Sequence, residues 1–184
     1  MNDAMQEAVH ALQSVGVAVE GLSQLVDDVV LHEAAEVHRR LMAYEAYENL
    51  AFEYANFKNQ LSAELLELLE HGRSLRSNDR AELIQRRHFI ALKMAAGLGS
   101  CDAFLAPAAN GAAPLGLSAT GKPDQSRPWQ LLGLPQITLP FKNNLKGLPL
   151  GLQLISARNQ DVKLLAIGRW LQDRLGWKFT VPKT

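Results

Sequence analysis

The 184 residues are 47% apolar and 21% charged, with 19 Lys and Arg balanced by 19 Asp and Glu. That is the composition of an ordinary soluble chain, and it excludes nucleic-acid binding driven by bulk positive charge. The single cysteine, Cys101, excludes an internal disulfide framework and any zinc site built on several cysteines.

No apolar run reaches the ~18 residues of a membrane-spanning helix. Met1-Asn2-Asp3-Ala4 carries neither the basic start nor the apolar stretch of a secretory signal, so a soluble, cytoplasmic protein is expected. All eight prolines lie at or beyond Pro107. Residues 1–98 therefore read as mainly helical, and 99–184 as strands, loop and a closing helix.

In chain order, residues 3–14 predict an amphipathic helix with Met5, Ala8, Val9 and Leu12 on one face, stopped by Gly16. Val17-Ala18-Val19 reads as a short buried strand. Val26, Val30, Ala34, Val37, Leu41, Tyr44, Tyr47, Ala51 and Tyr54 step by three and four, which predicts one long continuous helix. Another helix is expected from Ser62 to His71, with Gly72 as its stop. Ser77 can cap the next, which carries Leu83, Ile84, Ile90, Ala91, Met94 and Leu98 and ends at Gly97 and Gly99.

Ala103–Ala106, Gln136–Leu139 and Leu150–Ser156 read as buried strands, the last two joined as a hairpin by turn residues 143–147. Residues 108–127 are expected to be loop. The closing helix, about 161–175, sets Leu164, Ile167, Leu171 and Leu175 on one side.

The common site motifs fail here. There is no Gly-x-Ser-x-Gly elbow and no phosphate loop, and Gly97-Leu98-Gly99 ends a helix where a dinucleotide fingerprint would open one. His32 and Glu36 can share a helical face, but a metal would need a distant third ligand; an exposed contact one turn apart is the plainer reading. No metal or cofactor is expected. Cys101 follows a helix C-terminus, whose dipole disfavours a thiolate. His88 reads as a core histidine, and Trp170 and Trp177 as packing residues.

From Cys101 to Trp177 the sequence resembles the C-terminal end of the amidase signature family. The residues that carry the resemblance are Asp102-Ala103-Phe104-Leu105-Ala106-Pro107, Thr120-Gly121-Lys122-Pro123, the run from Pro128 to Pro140, the run from Gly147 to Ile155, and Asp161-Val162-Lys163-Leu164-Leu165. The helical half is similar to the region just upstream in that family, around Tyr44-Glu45 and Leu66-Leu69-Glu70-Gly72.

The resemblance implies an α/β fold, a mixed sheet with covering helices, forming the C-terminal part of a three-layer α/β/α architecture over one region, 1–184. It implies amide hydrolysis by acyl transfer through a serine, a cis-serine and a lysine. This sequence has no Gly-Gly-Ser-Ser-Gly run, and no catalytic residue can be assigned in it. A serine hydroxyl needs a positioned base and an oxyanion hole before it attacks an amide.

The chain is thus expected to be a C-terminal fragment, inactive alone. The loop before Gly133-Leu134-Pro135 approaches the substrate in the family, which makes Asp124, Ser126 and Trp129 the candidate contacts for a small-molecule amide. Asp124 can equally bond its own turn, and Trp129 can fill the core. Two further readings stay open: a fragment of the glutamyl-tRNA amidotransferase A subunit, against which Pro128-Trp129 argues, and a non-catalytic interaction module. Neither a nucleic-acid nor a membrane partner is expected. Association is expected through exposed sheet surface, as a homo-oligomer or with a missing part.

Overall fold

The computed structural model describes residues 2–21 and 26–177. Helix α1 (Asn2–Ser14) buries Ala4, Ala8 and Leu12. It ends where Gly16 takes a φ of 84°, a left-handed turn that costs glycine little. The expected strand at Val17–Val19 does not form. Val17 and Val19 are half-buried while Ala18 is exposed, and no described strand offers them a ladder.

Helix α2 (Asp28–Asn49) is capped by Asp27, whose Oδ1 accepts the Val29 N–H at 2.9 Å. It buries Val30, Ala34, Val37, Leu41 and Ala43. The long helix is not continuous: Leu50 (φ −108°, ψ 21°) breaks it, and a short α3 (Ala51–Asn56) and a 3-10 turn (Lys58–Gln60) follow. The redirected chain is pinned by a polar knot on α4 (Ala63–Ser74). There the Tyr54 hydroxyl donates to Glu70, and Lys58 Nζ donates to Tyr54 at 3.0 Å and to Glu70 at 2.6 Å.

Ser62, the expected first residue of this helix, is instead the cap of α4, accepting the Leu65 N–H. Gly72 is not a stop but a buried crossing point inside the helix. A Cβ there would lie 2.0 Å from the carbonyl oxygen of Ala43.

Helix α5 (Ser77–Ser100) begins at the expected cap itself, and the cap is Arg76, whose N–H donates to the Asp79 carboxylate at 2.7 Å. It runs through Gly97 and Gly99 instead of ending at them. Strand β1 (Phe104–Pro107) follows. The expected loop gives way at its end to a short helix, α6 (Arg127–Leu132), which has Pro128 in its first turn and is closed by Gly133 at φ 62°. Proline is well suited to that first turn, where its missing N–H is not needed.

Strands β2 (Gln136–Asn143) and β3 (Pro149–Ile155) form the expected hairpin. Asn144 Oδ1 accepts from the Lys146 and Leu148 N–H groups in its turn. β2 is longer than expected: Pro140 stays within it, and Phe141 bulges out between Pro140↔Gly151 and Lys142↔Leu150. Proline survives in a strand at such an edge bulge.

The sheet order is β1-β3-β2, and both pairings are antiparallel. The parallel pairing of a mixed sheet is therefore not found among the described strands. Helix α7 (Asp161–Leu175) closes the fold, burying Leu164, Gly168 and Leu171.

Side chains alternate across β3, so the sheet separates two cores. Leu152 and Leu154 face α1 and α7, together with Leu139 and Trp177. Ile155 faces α2, α5 and α6, together with Phe104, Val37, Ile90 and Trp129. This gives three layers, helix–sheet–helix. No helix among the described residues is long and apolar enough to cross a membrane.

Two aromatic expectations are corrected. His88 is exposed, and Trp170 keeps 41% of its surface accessible. Both lie on outward helix faces that no described element covers.

His38, on α2, is half-buried, and its Nδ1 has no hydrogen-bond partner among the described residues. Burial holds its pKa below the ordinary 6.5, and the Arg127 cation adds to the effect, against a smaller opposing pull from Glu45. A folded pKa below the unfolded one means the unfolded chain takes up the proton first as pH falls. Stability is thus expected to drop between neutral pH and the lowered folded value. Urea midpoints at pH 7.5 and pH 5.5 should show the loss, and His38→Gln should flatten it. The carboxylates shifted downward, such as Glu36 and Glu70, titrate below 4.5 and stay out of this window.

Candidate functional site

The polar residues that converge in this fold do so where β1 runs out into the loop. Gln153, in the middle of β3, is 4% exposed. Its Nε2 donates to the carbonyls of Pro107 at 2.9 Å and Gln125 at 2.7 Å. One buried amide thereby ties the end of β1 to the far side of the loop. Gln125 Nε2 donates to Asn110 Oδ1 at 2.8 Å, and Asn110 Nδ2 donates to Asp124 Oδ2 at 3.3 Å. The loop is closed on itself by side-chain amides across 14 to 15 residues.

Asp124 and Ser126 stand on this closed loop, Asp124 exposed and Ser126 half-buried. The Ser126 hydroxyl donates to the Pro123 carbonyl at 3.1 Å, so its proton is spent on its own turn. No base among the described residues is hydrogen-bonded to it, and a hydroxyl so placed is not an activated nucleophile. The Asp124 carboxylate remains an accessible acceptor, suited to an amide N–H or a cation.

Trp129 lies beneath the loop in the core, 4% exposed, with its ring 6.0 Å from that of Phe104. Its Nε1 has no partner among the described residues. The structure thus brings Asp124 and Ser126 together at the surface and gives Trp129 to the interior. Residue-type reasoning missed Asn110, Gln125 and Gln153. The signal for Gln153 was present, as a lone amide inside an otherwise apolar strand.

The other tested residues fall elsewhere. Glu36 is engaged by Arg39, whose Nε and Nη2 donate to it at 3.1 and 2.9 Å, and not by His32. This hydrogen bond holds the Glu36 carboxyl below its usual range. Cys101 terminates α5 and donates to the Gly97 carbonyl. Burial, with the adjacent Asp102 charge, pushes its thiol above the ordinary range, the reverse of what nucleophilic cysteines need. Among the described residues no three His, Cys, Asp or Glu side chains gather into a metal site.

Comparison with known proteins places this geometry. No family model matches the sequence. The A subunit of the glutamyl-tRNA(Gln) amidotransferase of Sphingopyxis alaskensis is 35% identical over 106 residues, 53% of this chain and 21% of that protein. A solved amidase superposes on 95% of this chain with a TM-score of 0.83 and 29% identity, using 42% of its own length. A bacterial aryl acylamidase of the amidase signature family superposes on 95% at a TM-score of 0.73, using 40% of its own length; at 15% identity this bears on the fold alone. The chain thus spans about a fifth of the curated relative and about two fifths of these solved enzymes. The superposition on a solved amidase over 95% of the chain at 29% identity, together with the match to an amidotransferase A subunit, relates the chain to the amidase signature family.

Proposed function

We propose that this chain is one region of an amide hydrolase, the C-terminal part that supports the substrate pocket, and that it does not carry the nucleophile. The observation that bears most weight is the match to a solved amidase over 95% of the chain, combined with a sequence that holds no Gly-Gly-Ser-Ser-Gly run. Asp124 and Ser126 are the groups offered to a small-molecule amide, on a loop stiffened by Asn110, Gln125 and Gln153. The reading carries with it a cytoplasmic setting, where Cys101 stays a thiol. It also carries association, as a homo-oligomer or with a complementary part, through the open edge of the sheet.

The chain alone is expected to give no turnover on a panel of aliphatic and aromatic amides, because a serine, its activating partner and the oxyanion donors act as a unit. The assay is run at high enzyme concentration. Turnover that survives repurification and is abolished by a serine-directed covalent inhibitor would overturn this reading.

The stretch shared with the A subunit of a glutamyl-tRNA amidotransferase favours a second reading, in which the chain is a fragment of that protein. Restored transfer of ammonia onto glutamyl-tRNA, rather than hydrolysis of free amides, would distinguish it. A chain that binds a partner without restoring either reaction would be the interaction module.

A further inference from the structure

A groove of about 1060 Å³ runs along α5. Ala91, Ala95 and Gly99 line it from that helix, and Leu131, Leu134 and Arg158 from α6, the turn after it and the segment after β3. Residues four apart share a helix face, and on this one the side chains are two methyl groups and a hydrogen. The depth comes from what these three residues lack: a Cβ added at Gly99 would meet nothing within 4 Å. Met94, 1% exposed, also reaches the lining, with a thioether that adapts to irregular apolar shapes. An apolar concavity of this size with a few polar groups set into it has the form of a small-molecule site.

The charged and titratable groups of the lining are mostly basic. Arg87, His88 and Arg158 stand against a single carboxylate, Glu82. Arg86, next along the helix, pairs with Glu33 at 3.0 Å, whereas neither Arg87 nor Arg158 has an ion-pair partner among the described residues. Arg158 is nonetheless held in place. Its Nη2 donates to the Leu132 carbonyl at 2.7 Å, and a Cβ added at Gly133 would lie 3.0 Å from the same nitrogen. A guanidinium fixed by one N–H keeps others for a ligand, and its planar fork matches a carboxylate. Fixing it beforehand lowers the ordering cost of binding.

We infer that the α5–α6 groove binds a small amphipathic carboxylate. Its apolar tail lies along Ala91, Met94 and Ala95, and its carboxylate is drawn to Arg158, with Arg87 adding to the positive field. The site goes beyond the functional reading above and does not rest on it. None of Asn110, Asp124, Gln125 and Ser126 lines the groove, and binding there needs no nucleophile.

The test titrates decanoate, below its micelle-forming concentration, into the full 184-residue chain by calorimetry. One decanoate per chain is expected to bind. Acetate, which lacks the tail, and decyltrimethylammonium, which reverses the charge, should each bind about tenfold or more weaker. Ala95→Phe fills the floor of the groove and should abolish binding. Arg158→Gln should weaken it about tenfold, the loss of a hydrogen bond to a charged group. That variant also gives up the bond to Leu132, so Arg87→Gln, at an exposed and unpaired residue, is the second probe, with an expected weakening of about threefold. Arg169→Gln on α7, which removes a cation that does not line the groove, should leave the affinity unchanged. Circular dichroism checks that each variant folds.

Decanoate that does not bind, or binds without saturating, overturns the site. So does equal binding of decanoate and decyltrimethylammonium, which would reduce the groove to an apolar surface. Binding that a folded Ala95→Phe leaves intact puts the ligand elsewhere and also overturns it. Self-association of the chain, seen by light scattering, that Ala95→Phe abolishes and decanoate leaves unchanged would give the groove to a second copy and overturn it in turn.

Discussion

Replacing Gly72 by alanine is expected to destabilise the fold by about 3 kcal/mol or more, at or above the upper end of what a single extra methyl costs in a packed interior. The added Cβ would meet the Ala43 carbonyl oxygen at 2.0 Å, its carbon at 2.6 Å and the Tyr47 Cβ at 2.9 Å. Two of these atoms are backbone, so no side-chain rotation relieves the clash, and α4 must lift away from α2. Lifting α4 uncovers Leu69, which is fully buried. Gly99→Ala is the contrast: it is helical, and nothing lies within 4 Å of its added Cβ. Alanine there should stabilise by about 0.5–1 kcal/mol through its better helix propensity. Urea unfolding of both variants, with opposite signs of effect, is the check. A neutral Gly72→Ala would mean that the helices do not cross so closely.

Gln153→Leu is expected to cost about 2–3 kcal/mol, with an effect reaching the loop. The leucine fills the space but donates nothing. The carbonyls of Pro107 and Gln125 lose their shared donor, and each buried acceptor left unpaired costs about 1–3 kcal/mol. Solvent reaching the half-buried Gln125 lowers the sum from its maximum. Beyond the shift in the urea midpoint, amides of residues 108–126 should exchange faster with solvent, because the tie between β1 and the far side of the loop is gone. An unfolding midpoint that moves while loop exchange stays unchanged would separate the strand's role from the loop's.

What could be read without the structure was whatever rests on periodicity over many residues. The stripe Val30, Ala34, Val37, Leu41, the hairpin around Asn144 and the closing helix with Leu164 and Leu171 are local patterns, each buried against one surface. What escaped was decided by contacts distant in sequence. Gly72 has the chemistry of a helix stop, and only the approach of Ala43 turns it into a crossing point. Leu50 lies in a good helical pattern, and the knot at Tyr54, Lys58 and Glu70 redirects the chain beyond it. Helix α6 is six residues long with a proline in its first turn, too short for a period to emerge.

The candidate site divides the same way. The Gly, Pro, Ala and Ser content of 108–127 placed Asp124 and Ser126 on a loop, and the family resemblance made them candidates. The amide chain from Asn110 through Gln125 to Gln153 required the strand to be laid beside the loop.

Ala8 and Leu12 of α1 share one core with Leu139, Leu152, Leu154, Leu164, Leu171 and Trp177, and Glu7 pairs with Lys142 from 135 residues away. In the order of synthesis this apolar face therefore precedes the residues of β2, β3 and α7 that share its core. Until β2, β3 and α7 emerge, α1 lacks the rest of its core, while α2, α4 and α5 can already pack on one another. Emerging chains are most exposed to misassembly where contacts wait on distant sequence, and here that wait falls on α1. Arrested nascent chains ending before Asp161 should be nicked by protease within 2–14, and chains extended past Trp177 and clear of the ribosome should resist.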